Sequence, residues 1–277
     1  MASRKRYLLS ALTVVLVLSA CAPADKTAGY KASETVRVSG SGTCLPLLRI
    51  LTTSYSGGDV EFTYLPGLHS GGGIKGVANG DLEIGAVSRD LTTEEKKLHL
   101  RYTALSRDGL VVATHPSVQL DGLTSQQVRD IYQGTYANWN ELGGPDLPIT
   151  ILDRNEDESA KIILRQYVLG ADLKITPKAV DLYYEPDMIE GVQSTAGAIG
   201  YFSLGYGLSQ DVPVHILKLD GVEPTVANIE NGTYRVVRPL GVVTGADAGE
   251  QIDGFLQWAR SAKAVELIKS KGFAPAE

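Results

Sequence analysis

Three consecutive glycines, Gly71-Gly72-Gly73, follow Ser70 between an apparent strand and an apparent helix, and they constrain this chain more than any other feature. Upstream, Val60-Glu61-Phe62-Thr63-Tyr64 alternates as a strand does. Downstream, residues 74–79 read as a short helix. Glycine has no Cβ, so the backbone can turn sharply there and lay successive N–H groups against a ligand. The first turn of a helix adds unpaired donors and a partial positive charge. A strand, then Ser-Gly-Gly-Gly, then a helix therefore has the makings of an anion cradle. A lone glycine motif also fits an ordinary turn.

The motif is not alone. Val36-Arg37-Val38-Ser39-Gly40-Ser41-Gly42-Thr43-Cys44 enters a Gly/Ser/Thr loop from a β-branched run, and residues 47–55 then read as a helix. A third unit runs from the strand 149–154, ending in Asp153-Arg154, through Asn155-Glu156-Asp157-Glu158-Ser159 into a helix over 160–169. Three such units can aim three helix N-termini at one point. A buried strand also ends in the polar pair Ser88-Arg89, and strand ends are where open α/β sheets place ligands.

Strands alternate with helices throughout, which predicts an α/β fold with a mostly parallel sheet. Two long β-like runs, 102–114 and 234–243, are placed to cross between two lobes that close about a hinge. Thr92 and Thr124 precede helical patterns as caps. Residues 187–194 read as a helix, and residues 248–270 as one final helix. The expected division is a leader over 1–20, a tether over 21–33, a first lobe over 34–111, a second lobe over 112–234, and a return to the first lobe over 235–277.

The leader has a basic start, Arg4-Lys5-Arg6, and an apolar run over 7–18 that is too short for a permanent span. It ends in Leu18-Ser19-Ala20-Cys21, which resembles a bacterial lipobox. That resemblance implies lipidation of Cys21 and a domain held outside the cytoplasmic membrane by acyl chains. Losing the leader removes three basic residues and no acidic ones, taking the formal charge from −6 to −9. Such an acidic chain is a poor nucleic-acid binder, so any anion site must work through local donors and dipoles. Cys44 is then the one remaining thiol and cannot form an internal disulfide. The four histidines (His69, His99, His115, His215) lack metal-ligand spacing and read as surface or packing residues. No cofactor is expected.

Taken together, Gly40-Ser41-Gly42-Thr43-Cys44-Leu45-Pro46, His69-Ser70-Gly71-Gly72-Gly73-Ile74-Lys75, the strand ending in Ser88-Arg89, Gly197-Ala198-Ile199-Gly200-Tyr201, Arg238-Pro239-Leu240 and the terminal Gly272-Phe273-Ala274-Pro275 resemble, in order, the motifs of the periplasmic phosphate-binding proteins of ABC phosphate importers. The resemblance implies a two-lobed type II periplasmic-binding-protein fold, each lobe a mostly parallel sheet flanked by helices, joined by two crossing strands. It implies a non-enzymatic, monomeric, lipid-anchored receptor that captures a tetrahedral oxyanion, most simply phosphate, and delivers it to an ABC permease. Carried over by position, it implies ligand contacts from the Cys44 and Leu45 N–H groups, from Thr43, from Ser70 with Gly71, from Ser88 with Arg89, and from Arg154 and Ser159. The family has Ser or Thr where Cys44 stands, and a thiol is the weaker donor. Some members carry a proton-accepting aspartate where Ser88 stands. The third loop departs most, since Glu158 brings a negative charge toward an anion site. Glu158 is expected either to accept a proton from the ligand or to face solvent at the helix start.

Two alternatives stay open. A sensor or adhesin would use the same site with a different partner. A secreted α/β hydrolase would need a nucleophile with its base or a metal, and the sequence has no G-x-S-x-G elbow, Walker-A lysine or metal cluster.

Overall fold

The computed structural model describes residues 34–276. The leader, Cys21 and the tether therefore lie outside the described residues. The glycine-rich first unit folds as expected: strand Glu34–Gly40 pairs in parallel with Val60–Tyr64 on one side and Ile84–Val87 on the other. Between them run helices Cys44–Ser54 and His69–Ala78. The second helix starts five residues earlier than its sequence pattern suggests. All three glycines lie in it, Gly71 and Gly72 in its first turn. Packing explains why glycine is required there: a Cβ on Gly73 would sit 2.8 Å from the Cα of Gly40, so the helix lies directly against the first strand.

A large sheet runs through the described residues, with eight principal strands in the order 60–64, 34–40, 84–87, 237–244, 101–114, 198–203, 150–154, 180–182, beside a small pair of 218–219 with 122–123. The strands at each end are parallel to their neighbours, and 237–244 is antiparallel to both of its own. Strand Arg101–Thr114 is the long crossing element. Its first part pairs with Val237–Thr244 and its last five residues pair with Ala198–Ser203.

The apolar residues separate accordingly into two main cores. One gathers Val36, Leu47, Leu48, Ile84, Leu240 and Phe255. The other gathers Val111, Tyr132, Trp139, Ile163, Met188 and Phe202. At the crossing the two strands are joined by a buried ion pair, Arg238 Nε to Asp108 Oδ2 at 3.0 Å, with both side chains fully buried. Arg238 Nη2 also reaches Glu185 Oε1 at 3.3 Å. Burial pushes the Asp108 carboxyl up to about 6, even with Arg238 opposing.

Three local expectations change. The final helix is two helices, Glu250–Trp258 and Ala262–Ser270, because Ser261 caps the second through Ala264 N–H. The helix after Arg154 is α-helical over Ser159–Leu164 and continues as a π-turn over Arg165–Leu169. A helix expected from residue 187 begins at Glu185, with Pro186 in its first turn, where a missing N–H costs nothing. The Thr92 and Thr124 capping boxes are both present.

Candidate functional site

Four helix starts meet at one cavity of ≈ 340 Å³ between the two cores. From the first half come Ser41-Gly42-Thr43, ahead of helix Cys44–Ser54, and His69-Ser70-Gly71-Gly72, the first turn of helix His69–Ala78. From the second half come Asp157-Glu158-Ser159 and Tyr184-Glu185-Pro186. Three of these starts show in the sequence; the fourth, at Glu185, precedes its helical pattern by two residues and does not. Four N-termini point their positive dipole ends at one space, in a chain whose net charge is negative.

The floor is lined by the hydroxyls of Ser41, Ser70 and Ser159, and Ser88, expected as a ligand contact, is fully buried beneath them and does not itself line the cavity. Ser88 Oγ lies 2.6 Å from Ser41 Oγ and 2.7 Å from Ser159 Oγ, and Ser88 N–H donates to Ser70 Oγ at 3.2 Å. Ser41, Ser70 and Ser88 belong to the first half and Ser159 to the second, so the Ser88–Ser159 contact closes the cleft. A hydroxyl both donates and accepts, so this floor can turn its protons toward an anion without carrying charge.

Arg154 forms the opposite wall. It is 4% exposed. One terminal nitrogen, Nη2, donates to Glu158 Oε2 at 2.7 Å and to the Tyr183 carbonyl at 3.0 Å. Its Nε and Nη1 are buried with no hydrogen-bond partner. Buried N–H groups on a charged side chain are costly to leave unmade, and here they belong to a residue that lines the cavity. Arg238 also has one such nitrogen, but it does not line this cavity.

Glu158 does not face solvent. It is 7% exposed and makes no cap hydrogen bond to its helix. Its carboxylate bridges two basic side chains, with Oε2 on Arg154 and Oε1 2.6 Å from His69 Nδ1. Burial pushes its carboxyl upward, with Arg154 and His69 pulling the other way. The solvent-facing expectation is therefore corrected. His69, read as a surface or packing residue, packs against Tyr183 and also lines the cavity.

Two implied contacts fall elsewhere, and two lie at the cavity with their side chains already engaged. Cys44 and Leu45 both donate their N–H groups to the Ser41 carbonyl, at 3.0 Å each, and neither lines the cavity. The Cys44 side chain points into the core against the Gly241 carbonyl, and burial pushes its thiol up to about 12. It is an inert small apolar residue there. Arg89 lines the cavity, but Nη1 and Nη2 reach Glu95 at 2.7 and 2.8 Å, so its fork is already engaged within the first half. Thr43 lines the cavity with its hydroxyl donated to Glu185 Oε2.

Glu185 is the residue that sequence reasoning missed most completely. It is buried, and it accepts from Thr43 of one half, Ser203 N–H of the other and Arg238 at the strand crossing. Its one sequence signal is a Glu-Pro pair at a helix start. Among the described residues, no group of three or more His, Cys, Asp or Glu could hold a metal.

A family model described as the PBP superfamily domain matches residues 25–263. The phosphate-binding protein PstS of Borreliella burgdorferi is 26% identical over 248 residues, covering 86% of this chain and 88% of that protein. PstS of Bacillus subtilis is 26% identical over 253 residues, covering 88% and 82%. A Clostridium perfringens chain, solved with bound phosphate and described as a phosphate ABC transporter substrate-binding protein, superposes with a TM-score of 0.78 at 29% identity, covering 88% of this chain and all of that one. An ABC-type phosphate transport receptor from Vibrio cholerae shares the fold at a TM-score of 0.67. With a large sheet shared by two main cores and its cleft of helix N-termini, this chain belongs to the PBP superfamily of solute-binding receptors and has their type II two-lobed α/β fold.

Proposed function

We propose that this protein is an extracytoplasmic receptor that captures phosphate between its two halves and delivers it to an ABC importer. The observation that carries the reading is Arg154, whose buried Nε and Nη1 lack partners at the wall of a cavity ringed by helix N-termini. An oxyanion supplies what these two N–H groups need. Ser41, Ser70 and Ser159 form the neutral floor that turns donors toward the remaining oxygens, and Ser88 beneath them holds Ser41 and Ser159 in place. Arg154 and Ser159 come from one half and Ser41, Ser70 and Ser88 from the other. Bound anion therefore joins the halves, and closure excludes water from the cleft. Each hydrogen bond to a charged group contributes roughly 1.5–3 kcal/mol, so a handful reaches micromolar affinity or better after the costs of ordering.

The site binds and releases its ligand without chemistry. Its one imidazole, His69, is paired with Glu158 rather than with any serine. The lobes are taken as 34–111 with 235–277 and 112–234; the separation of two main cores supports two lobes, although Leu110, Val111, Val236 and Ala274 pack into the second core. The lipobox-like Leu18-Ser19-Ala20-Cys21 supports a lipid anchor that holds a monomeric receptor at the outer face of the cytoplasmic membrane or in the periplasm. No helix among the described residues is long and apolar enough to cross a membrane. The relatives named for phosphate binding and phosphate transport support the ligand and the permease partner.

A thermal-shift panel of phosphate, arsenate, sulfate and molybdate tests the reading. Phosphate at a hundred times its Kd adds about 2.7 kcal/mol to the folded state. In a chain of this size that moves Tm by about 5–10 °C. No shift with any oxyanion removes the proposal.

A further inference from the structure

We infer that His69 and Glu158 form a proton-coupled clasp across the cleft, so that closing on an anion takes up a proton at the His69 imidazole. This rests on the anion-receptor reading and adds to it a residue that sets the pH dependence of binding.

The clasp spans the two halves. His69 opens helix His69–Ala78 in the first half, Glu158 precedes helix Ser159–Leu164 in the second, and Nδ1 lies 2.6 Å from Oε1. The backbone is shaped for this contact. His69 has φ = +55°, a left-handed conformation uncommon for a residue with a Cβ. Such strain persists where the surrounding structure holds it in place. Tyr183 packs edge-on to the imidazole at 5.0 Å between ring centroids, and Tyr184 lies beyond it at 6.3 Å. The His69 side chain is still 34% exposed, so the ring can exchange protons with solvent.

The charges around the clasp determine the direction of the coupling. Its own helix contributes Lys75, and the Ser88-Arg89 loop contributes Arg89, which is held by Glu95. The 154–159 segment contributes Arg154, Asp157 and Glu158, and the helix start at 185 contributes Glu185 beside Tyr183 and Tyr184. In the empty cleft Glu158 is balanced by Arg154. An anion on the free edge of Arg154 draws that cation's field to itself and adds negative charge to the same enclosed space. The imidazolium then becomes the favoured state of His69, since a nearby negative charge favours the protonated base. Linkage is reciprocal: if the anion favours the proton, the proton favours the anion. Affinity therefore rises as pH falls and levels off once the imidazole is charged with and without the anion. Burial of Glu158, which pushes its carboxyl upward, works in the same direction.

The test is calorimetric titration of phosphate into the wild type and His69→Asn at pH 7, in two buffers of very different ionisation enthalpy. Asparagine tolerates the left-handed backbone, and it cannot titrate. The proton that phosphate itself carries contributes equally to both proteins and cancels in the difference. Wild type should take up more protons than the variant, by up to one per anion. Its Kd should rise more steeply between pH 6 and 8, by up to tenfold per unit. Should His69→Asn fail to fold, Glu158→Gln supplies the same comparison, because it removes the charge that holds the imidazolium. Equal proton counts and parallel pH profiles overturn the clasp and leave the receptor reading intact. Absence of phosphate binding by the wild type at every pH overturns both.

Discussion

Replacing Arg154 with alanine probes the site most directly, because the structure gives both the loss and its limits. The guanidinium has two buried N–H groups without partners, Nε and Nη1. If each donates to bound phosphate at roughly 1.5–3 kcal/mol for a bond to a charge, their removal costs about 3–6 kcal/mol of binding. That range corresponds to a weakening of about 10² to 10⁴-fold. The variant also leaves Glu158 facing the ligand without its Arg154 partner, so the upper half of the range is expected. Stability without ligand should behave differently, since two effects oppose. Glu158 loses a buried partner at 2.7 Å, but the two unsatisfied N–H groups disappear as well. The Arg154 backbone N–H keeps its bond to Tyr201 Oη at 3.0 Å, so the strand end is preserved. Unliganded Tm should therefore move by a few degrees at most. Isothermal titration with phosphate at pH 7.5, beside a melt of the unliganded protein, reads both quantities. Phosphate affinity within threefold of wild type, in a folded variant, would refute the assignment of the orphaned guanidinium to the ligand.

Further expectations address the floor, the strand crossing and the anchor. Ser88→Ala removes contacts to Ser41 and to Ser159 across the cleft; at 0.5–1.5 kcal/mol per neutral bond it should weaken phosphate binding by about 1–3 kcal/mol in titration, and an unchanged Kd counts against the closing role. Asp108 has a folded-state pKa raised from 3.8 to about 6, so its contribution to stability is fully present below about 4 and lost as pH rises through 6. The loss approaches about 3 kcal/mol, and urea melts from pH 4 to 7.5 should show Asp108→Asn without this fall relative to wild type; identical pH dependence would contradict the sign. Cys21→Ser should abolish acyl labelling and membrane retention, and retained acyl label would overturn the lipobox reading.

Local chemistry makes the strand–loop–helix units legible. Alternating β-branched runs, glycines at close approaches and Ser/Thr caps act within a few residues of themselves. For that reason 34–40, 60–64, 101–114 and the helices after each loop can be placed from the amino-acid pattern alone. Ser70, Arg154 and Ser159 stand out similarly, since they sit at fixed offsets inside those units. What tertiary structure decided was which group meets which across long separations. Ser88 finds Ser159 across 71 residues and Thr43 finds Glu185 across 142. Arg89 looks free for a ligand in the sequence, but packing brings Glu95 to its fork. Cys44 looks like a cleft residue, but its helix turns the thiol into the core. His69 carries no local signal at all, and its role comes from Glu158 arriving on the facing half. The physical reason is range: backbone conformation is set largely by neighbours along the chain. The partner of a side chain, and whether a cationic edge is left free for a ligand, is fixed when separately folded segments pack and exclude water.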